Sequence, residues 1–177
     1  MPPKRLLVYG FGPYRNFRHN ITASVVGLLP KQKLLKTIVF PVRFHKGQFL
    51  DALKQFKPDV VLGLGQCAKG RLLRIETRAV NRRRVRKADK AAPIVAGGAG
   101  KLFTNVRFGG GDKARMSRNA GDYVCNYSMY VILDYVKARQ LPMRFGFVHV
   151  PHNYDRRAAA RFVSNAIKKI GARGRSN

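Results

Sequence analysis

The stretch His45-Lys46-Gly47-Gln48-Phe49-Leu50-Asp51-Ala52-Leu53-Lys54-Gln55-Phe56-Lys57-Pro58-Asp59-Val60-Val61-Leu62-Gly63-Leu64 decides the fold. Its first half places Phe49, Leu50, Leu53 and Phe56 at helical spacing, and Pro58 closes the helix because it cannot continue the hydrogen-bond ladder. Its second half, Asp59 to Leu64, is an apolar run too short for a second helix and suited to a buried strand. The same alternation extends outward. Arg5 to Gly10 reads as a short buried strand ending in the turn-rich Gly10-Phe11-Gly12-Pro13. A helix follows from about Asn20, a good cap, to Leu29, with Pro30 as its stop. Leu34 to Val42 is β-rich, and Leu72 to Val80 reads extended, which places Glu76 within or near a strand. From Arg82 to Gly111 the sequence is basic and rich in Ala and Gly, as expected of a long loop. Ala114 to Ser117 reads as a short strand, Asp122 to about Lys137 as a helix, and Arg144 to Val150 as the last strand. Asp155 to Ile170 is an amphipathic helix with Phe162, Ala166 and Ile170 on one stripe. Strands alternating with helices imply an α/β layered domain, single over residues 1–177, with its functional groups at strand ends.

A chain of 177 residues, 45% hydrophobic, is long enough to bury a substantial core. No apolar run reaches the roughly 18–20 residues that span a bilayer, so no membrane partner is expected. After Met-Pro-Pro-Lys-Arg, the run Leu6 to Tyr9 is too short for a signal-peptide core. Two cysteines far apart do not make a disulfide framework, and a reducing cytoplasm is the default location. The anomaly is a net charge of +28. Such a balance attracts polyanions without base specificity. The charge is spread along the chain apart from Arg82-Arg83-Arg84-Val85-Arg86-Lys87, and aromatics do not alternate with basics as on a single-strand stacking platform. No helix-turn-helix, zinc-finger or RRM signature is present.

Three residues carry candidate chemistry. Cys125 lies in Ala120-Gly121-Asp122-Tyr123-Val124-Cys125-Asn126-Tyr127, where a Gly turn and an Asp cap open an apolar helix. The partial positive charge of a helix N-terminus favours thiolate over thiol. His149 stands in Phe147-Val148-His149-Val150-Pro151, at the tip of a buried strand. Glu76 is the single glutamate beside 36 Lys plus Arg. A nucleophile, its base and the group that orients the base need these residue types on converging elements. Each also has a plainer reading: Cys125 as an inert buried thiol, His149 as a core histidine, Glu76 as a surface acid paired with Arg74 or Arg78. Val60 to Ala68 has Gly63, Gly65 and Ala68 at dinucleotide-fingerprint spacing. However, strand rather than helix follows, and no acid lies about 20 residues on to hold a ribose. These glycines read as tight-turn residues and Cys67 as a small loop or core residue. His149, His152 and Asp155 are spaced like metal ligands, but Pro151 breaks any helix that would align them. His19 and His45, in exposed basic contexts, carry no expected chemistry.

Arg74-Ile75-Glu76-Thr77-Arg78-Ala79-Val80-Asn81, Ser117 to Tyr127 and Phe147 to Pro151 together resemble the pyroglutamyl peptidase I family, the pyrrolidone-carboxylate peptidases. Val8-Tyr9-Gly10-Phe11-Gly12-Pro13-Tyr14 is similar to that family's Gly-Phe-x-Pro-Phe opening. The four blocks run in the family's order along the chain. The resemblance implies a cysteine peptidase acting on pyroglutamyl-blocked peptides, with Cys125 as nucleophile, His149 as general base and Glu76 as third member. It implies that Phe11 and Tyr14 wall an apolar pocket for the pyrrolidone ring, with Asn20 and Arg86 at positions of family site residues. It further implies an α/β/α sandwich around a twisted mixed sheet, a homotetramer or dimer, and no metal or cofactor. Tyr14 stands where the family has phenylalanine, Arg15-Asn16 replace frequent glycines, and the segment from Lys101 to Ser117 is short. An altered substrate preference, or a non-enzymatic polyanion-binding role on the same fold, is the alternative these departures raise.

Overall fold

The structure is a computed structural model describing residues 4–68, 70–108 and 111–172. Strands β1 (Leu6–Phe11), β2 (Leu35–Phe40), β3 (Val60–Cys67), β4 (Leu73–Glu76), β5 (Arg78–Val80), β6 (Lys101–Phe103), β7 (Ala114–Ser117) and β8 (Arg144–Pro151) accompany four helices. These are α1 (Ile21–Gly27), α2 (Lys46–Phe56), α3 (Val124–Ala138) and α4 (Arg156–Ala172). Six strands form one mixed sheet in the order β2-β1-β3-β8-β4-β7. Neighbours run parallel except β4, which pairs antiparallel with β8. The expected α/β architecture is the observed one.

Alternating side chains divide the strands between two cores. On one face Val8, Leu62, Leu64, Ile75 and Val148 pack with Val25 of α1 and Val163 and Ile167 of α4. On the other, Leu7, Tyr9, Val61, Phe145 and Phe147 pack with Phe49 of α2 and Met129 and Ile132 of α3. Helices therefore cover both faces, and β3 and β8 are buried over nearly their whole length. Among the described residues, no helix is long and apolar enough to cross a membrane.

Three departures from the sequence reading bear on the site. Strand β3 runs on through Gly65-Gln66-Cys67, because these pair in register with His149-Val150-Pro151 of β8. Gly63 and Gly65 are thus strand residues rather than turn residues. They lack side chains because a Cβ on Gly63 would stand 2.6 Å from the Tyr9 ring, and one on Gly65 would stand 2.8 Å from Phe147. The extended run after Leu72 breaks at Thr77, whose N–H donates to Ser117 O at 2.8 Å. Beyond it, β5 leaves the main sheet and pairs with β6, a strand inside the segment expected to be loop. Asn81 organises that segment: its Oδ1 accepts from the N–H groups of Ile94 and Val95, and its Nδ2 donates to Val95 O.

Candidate active site

Cys125 is the second residue of α3. The expected cap, Asp122, does not cap the helix: Tyr123 occupies the cap position and no side chain accepts from the first turn. Asp122 instead faces Arg84, 3.2 Å from its Nε, so a tertiary ion pair takes the carboxylate that local sequence would assign to the helix. The first-turn N–H groups of a helix have no intrahelical acceptor, and here they border a cavity of about 320 Å³ lined in part by Tyr123, Val124 and Cys125. Gly121, at φ 80°, makes the turn into the helix. Two polar residues fix the helix start from behind. Asn126 Oδ1 accepts from Val80 N, while Nδ2 donates to Val80 O and Arg82 O. Ser128 Oγ donates to Cys125 O at 2.8 Å and lies 2.9 Å from the Tyr9 hydroxyl.

His149 and Glu76 come from adjacent antiparallel strands, with Arg74 directly opposite His149 and Glu76 opposite Phe147. Diagonal neighbours on one sheet face are within reach of long side chains. His149 Nδ1 lies 2.8 Å from Glu76 Oε1, and both side chains are buried. Burial by itself would raise the Glu76 carboxyl. The His149 hydrogen bond and charge, the Ser117 hydroxyl and Arg74 together outweigh it and hold the group below its ordinary value. An ionised carboxylate only accepts hydrogen bonds, so Nδ1 carries a proton in either charge state, and Nε2 holds the lone pair whenever the imidazole is neutral. The exposed Glu76–Arg78 pair that the plainer reading envisaged does not form, since Arg78 Nε donates to Arg118 O. Arg74 Nε does stand 3.8 Å from Glu76 Oε1.

The Cys125 sulfur and the His149 ring both approach Gly65. The point where a Cβ on Gly65 would stand is 2.7 Å from Cys125 Sγ and 2.9 Å from His149 Cδ2. Absence of a side chain at one strand position is what lets the helix start approach the histidine. Burial is the largest influence on the half-buried Cys125 thiol. With Cys67 and Glu76 acting in the same direction, and Arg74 and the residue's own backbone N–H opposing, it pushes the thiol up to about 12. Burial thus works against the thiolate that the positive charge of a helix N-terminus would favour.

The remaining candidates divide. Phe11 and Tyr14 line the cavity with Cys125 and His149. The Tyr14 ring stacks on Phe17 at 5.4 Å. Asn20 also borders the cavity, yet its polar atoms are committed inside the fold: Nδ2 donates to Gly12 O, and Oδ1 accepts from Thr22 N as the cap of α1. Arg86 borders the cavity from an exposed position, its Nε 3.0 Å from Asp89 Oδ1. Among the described residues, no three of His, Cys, Asp and Glu stand close enough to share a metal ion. Cys67 ends β3, buried, near enough to Cys125 to influence its proton affinity. His45 caps α2, its Nδ1 accepting from Gln48 N.

Sequence reasoning missed Gln66. Its Oε1 accepts from Ile21 N at 2.8 Å, and its side chain borders the cavity beside the Tyr14 hydroxyl, with which it interacts. A lone amide within an apolar strand was the available signal.

Comparison with known proteins bears on this arrangement. The family model described as pyroglutamyl peptidase matches residues 4–161. A pyrrolidone-carboxylate peptidase of Staphylococcus saprophyticus is 32% identical over 167 residues, covering 83% of this chain and 78% of that one. One from Alkaliphilus oremlandii is 29% identical over 167 residues, covering 84% and 78%. Among solved structures, the pyrrolidone carboxyl peptidase of Thermococcus litoralis superposes with a TM-score of 0.84 at 20% identity, over 96% of this chain and 93% of that one. The pyroglutamyl peptidase I of Bacillus amyloliquefaciens gives 0.84 at 20% identity, over 96% and 97%. These two structures share the fold.

Proposed function

The chain belongs to the pyroglutamyl peptidase family, and from that premise we propose that it removes the N-terminal L-pyroglutamyl residue from peptides as a cysteine-type omega peptidase. The observation that carries the chemistry is the buried Glu76–His149 pair facing a cysteine in the first turn of a helix, across a strand position without a side chain. His149 Nε2 takes the proton from Cys125 Sγ as the sulfur attacks the pyroglutamyl carbonyl, so no thiolate need exist at rest. The carbonyl oxygen becomes an oxyanion, stabilised by N–H groups of the first turn of α3. The tetrahedral carbon then expels the peptide amine, which receives the proton from His149, and a thioester remains on Cys125. A water molecule, deprotonated by His149, attacks the thioester; pyroglutamate leaves and the proton returns to sulfur. Glu76 keeps Nδ1 protonated and stabilises the imidazolium formed between these steps.

The cavity suits the substrate. Phe11 and the Tyr14 ring offer apolar walls to a small lactam, and the Gln66 amide beside the Tyr14 hydroxyl offers polar atoms to the lactam carbonyl. A pyroglutamyl terminus has no free amine. The single carboxylate of the lining, Asp122, is accordingly committed to Arg84 rather than presented to substrate. Asn20 supports this wall by fixing the Gly12 turn, and Arg86 acts at the mouth. Neither a metal nor a cofactor enters any of these steps.

A fluorogenic pyroglutamyl amide tests the reading: release of fluorophore by wild type, with loss in folded Cys125→Ala and His149→Ala, is expected. No release by folded wild type contradicts it. We further propose a cytoplasmic homotetramer or dimer, checked by sedimentation, and salt-sensitive polyanion binding without sequence preference, supported by the charge of +28.

A further inference from the structure

The mouth of the cavity is more cationic than the peptidase chemistry requires. Arg15, Arg84, Arg86 and Lys87 all line it, against one carboxylate, Asp122. Arg84 is balanced by Asp122 at 3.2 Å, and Arg86 by Asp89 at 3.0 Å. Among the described residues, neither Arg15 nor Lys87 has a carboxylate within ion-pair distance. They come from different loops, Arg15 from the β1–α1 turn and Lys87 from the β5–β6 segment.

Arg15 is also positioned. Its guanidinium carbon sits 4.7 Å from the centre of the Tyr123 ring, at the start of the helix that carries Cys125. Its backbone adopts φ 50°, a left-handed conformation disfavoured for any residue with a Cβ. A glycine would fit that turn with less strain, yet an arginine occupies it and stacks beside the nucleophile's helix.

With the pyroglutamyl ring between Phe11, Tyr14 and Cys125, the rest of the peptide must leave through this mouth. We infer that the preferred substrates carry Asp or Glu immediately after the pyroglutamyl ring, their carboxylates meeting Arg15 and Lys87. This rests on the peptidase reading and adds to it the class of peptide accepted. The pairs are solvent-exposed, so the preference is modest at physiological salt and vanishes when screened.

The test measures binding to the full-length Cys125→Ala protein, separating recognition from turnover. The peptides are the C-terminal amides of pyroglutamyl-Glu-Glu and its uncharged isostere pyroglutamyl-Gln-Gln, and the same pair with acetyl-alanine in place of the ring. The acidic pyroglutamyl peptide is expected to bind about three- to ten-fold tighter at low salt, the two becoming equal near 1 M, where the screening length is about 3 Å. Adding Arg15→Gln with Lys87→Gln should abolish the difference, whereas Lys31→Gln with Lys33→Gln, in the distant α1–β2 turn, should retain it. Equal binding of both pyroglutamyl peptides overturns the inference and leaves the peptidase reading standing. So does a preference lost equally in both double variants, which would assign it to overall charge. Charge preference without ring dependence, or no binding of any peptide, overturns the inference together with the peptidase reading.

Discussion

Replacing Glu76 by glutamine keeps the side-chain volume at a fully buried position and removes one charge. The wild-type carboxylate lies 2.8 Å from His149 Nδ1 and has its proton affinity lowered by that pairing. Hydrogen bonds to charged groups contribute about 1.5–3 kcal/mol, and each 1.36 kcal/mol lost from the transition state is about ten-fold in rate. The interaction strengthens when His149 becomes imidazolium, so the loss falls on kcat, by about 10- to 150-fold, with KM little changed. Glutamine can also turn its amide N–H₂ toward Nδ1, which would move the imidazole proton to Nε2, the nitrogen that must accept from sulfur. That adds to the loss. Even so, the imidazole would remain, whereas His149→Ala removes the base itself and about 10²–10⁴-fold. Steady-state turnover of a pyroglutamyl amide by both variants, each shown folded by near-UV circular dichroism, checks the ordering. A Glu76→Gln rate at or below that of His149→Ala would refute the assignment of orienting and proton-carrying roles.

Gly65→Ala would place a Cβ 2.7 Å from Cys125 Sγ and 2.9 Å from His149 Cδ2. Sulfur and ring must separate, and kcat/KM should fall about 10²-fold in a folded protein; wild-type turnover would show that the close approach is unnecessary. Because burial raises the Cys125 thiol to about 12, the unfolded chain releases this proton first as pH rises beyond about 8.5. The contribution is fully present below that pH and is lost above it. Melting temperature should therefore decline more steeply between about pH 8.5 and 10 in wild type than in Cys125→Ser, and parallel curves would contradict the raised thiol. Cys67→Ser should keep most activity, since the residue is buried at the end of β3 and does not line the cavity that Cys125 and His149 share, while equal loss in folded Cys67 and Cys125 variants would reassign the nucleophile.

What the sequence disclosed is what local chemistry determines. Asn20 caps α1 and Pro58 follows the left-handed stop at Lys57 because cap and breaker preferences act within a few residues. The spacing of Phe49 and Leu53 marked the face of α2 that meets the core. The elements that long-range contacts decide were illegible. Gly63 and Gly65 look like turn residues until Phe147 and Tyr9 are seen to fill the space above them. Lys101–Phe103 is a strand only because β5 offers a partner, and Asp122 leaves its expected cap because Arg84 reaches it across the fold. The three reactive residue types were visible as candidates, and the resemblance linked them. Their convergence depends on the antiparallel pairing of β4 with β8, which no local pattern encodes. Gln66 escaped notice because its place in the cavity wall beside Tyr14 is a property of the folded chain.

The central claim, that Cys125 carries the acyl group, is tested most directly by mass spectrometry of the acid-quenched enzyme during turnover of a pyroglutamyl amide. The expected result is one pyroglutamyl group in thioester linkage on the peptide containing Cys125, absent from Cys125→Ala and accumulating when His149 is replaced in a variant that still acylates. A pyroglutamyl group on Cys67, or continued turnover by Cys125→Ala with no adduct at residue 125, would contradict it.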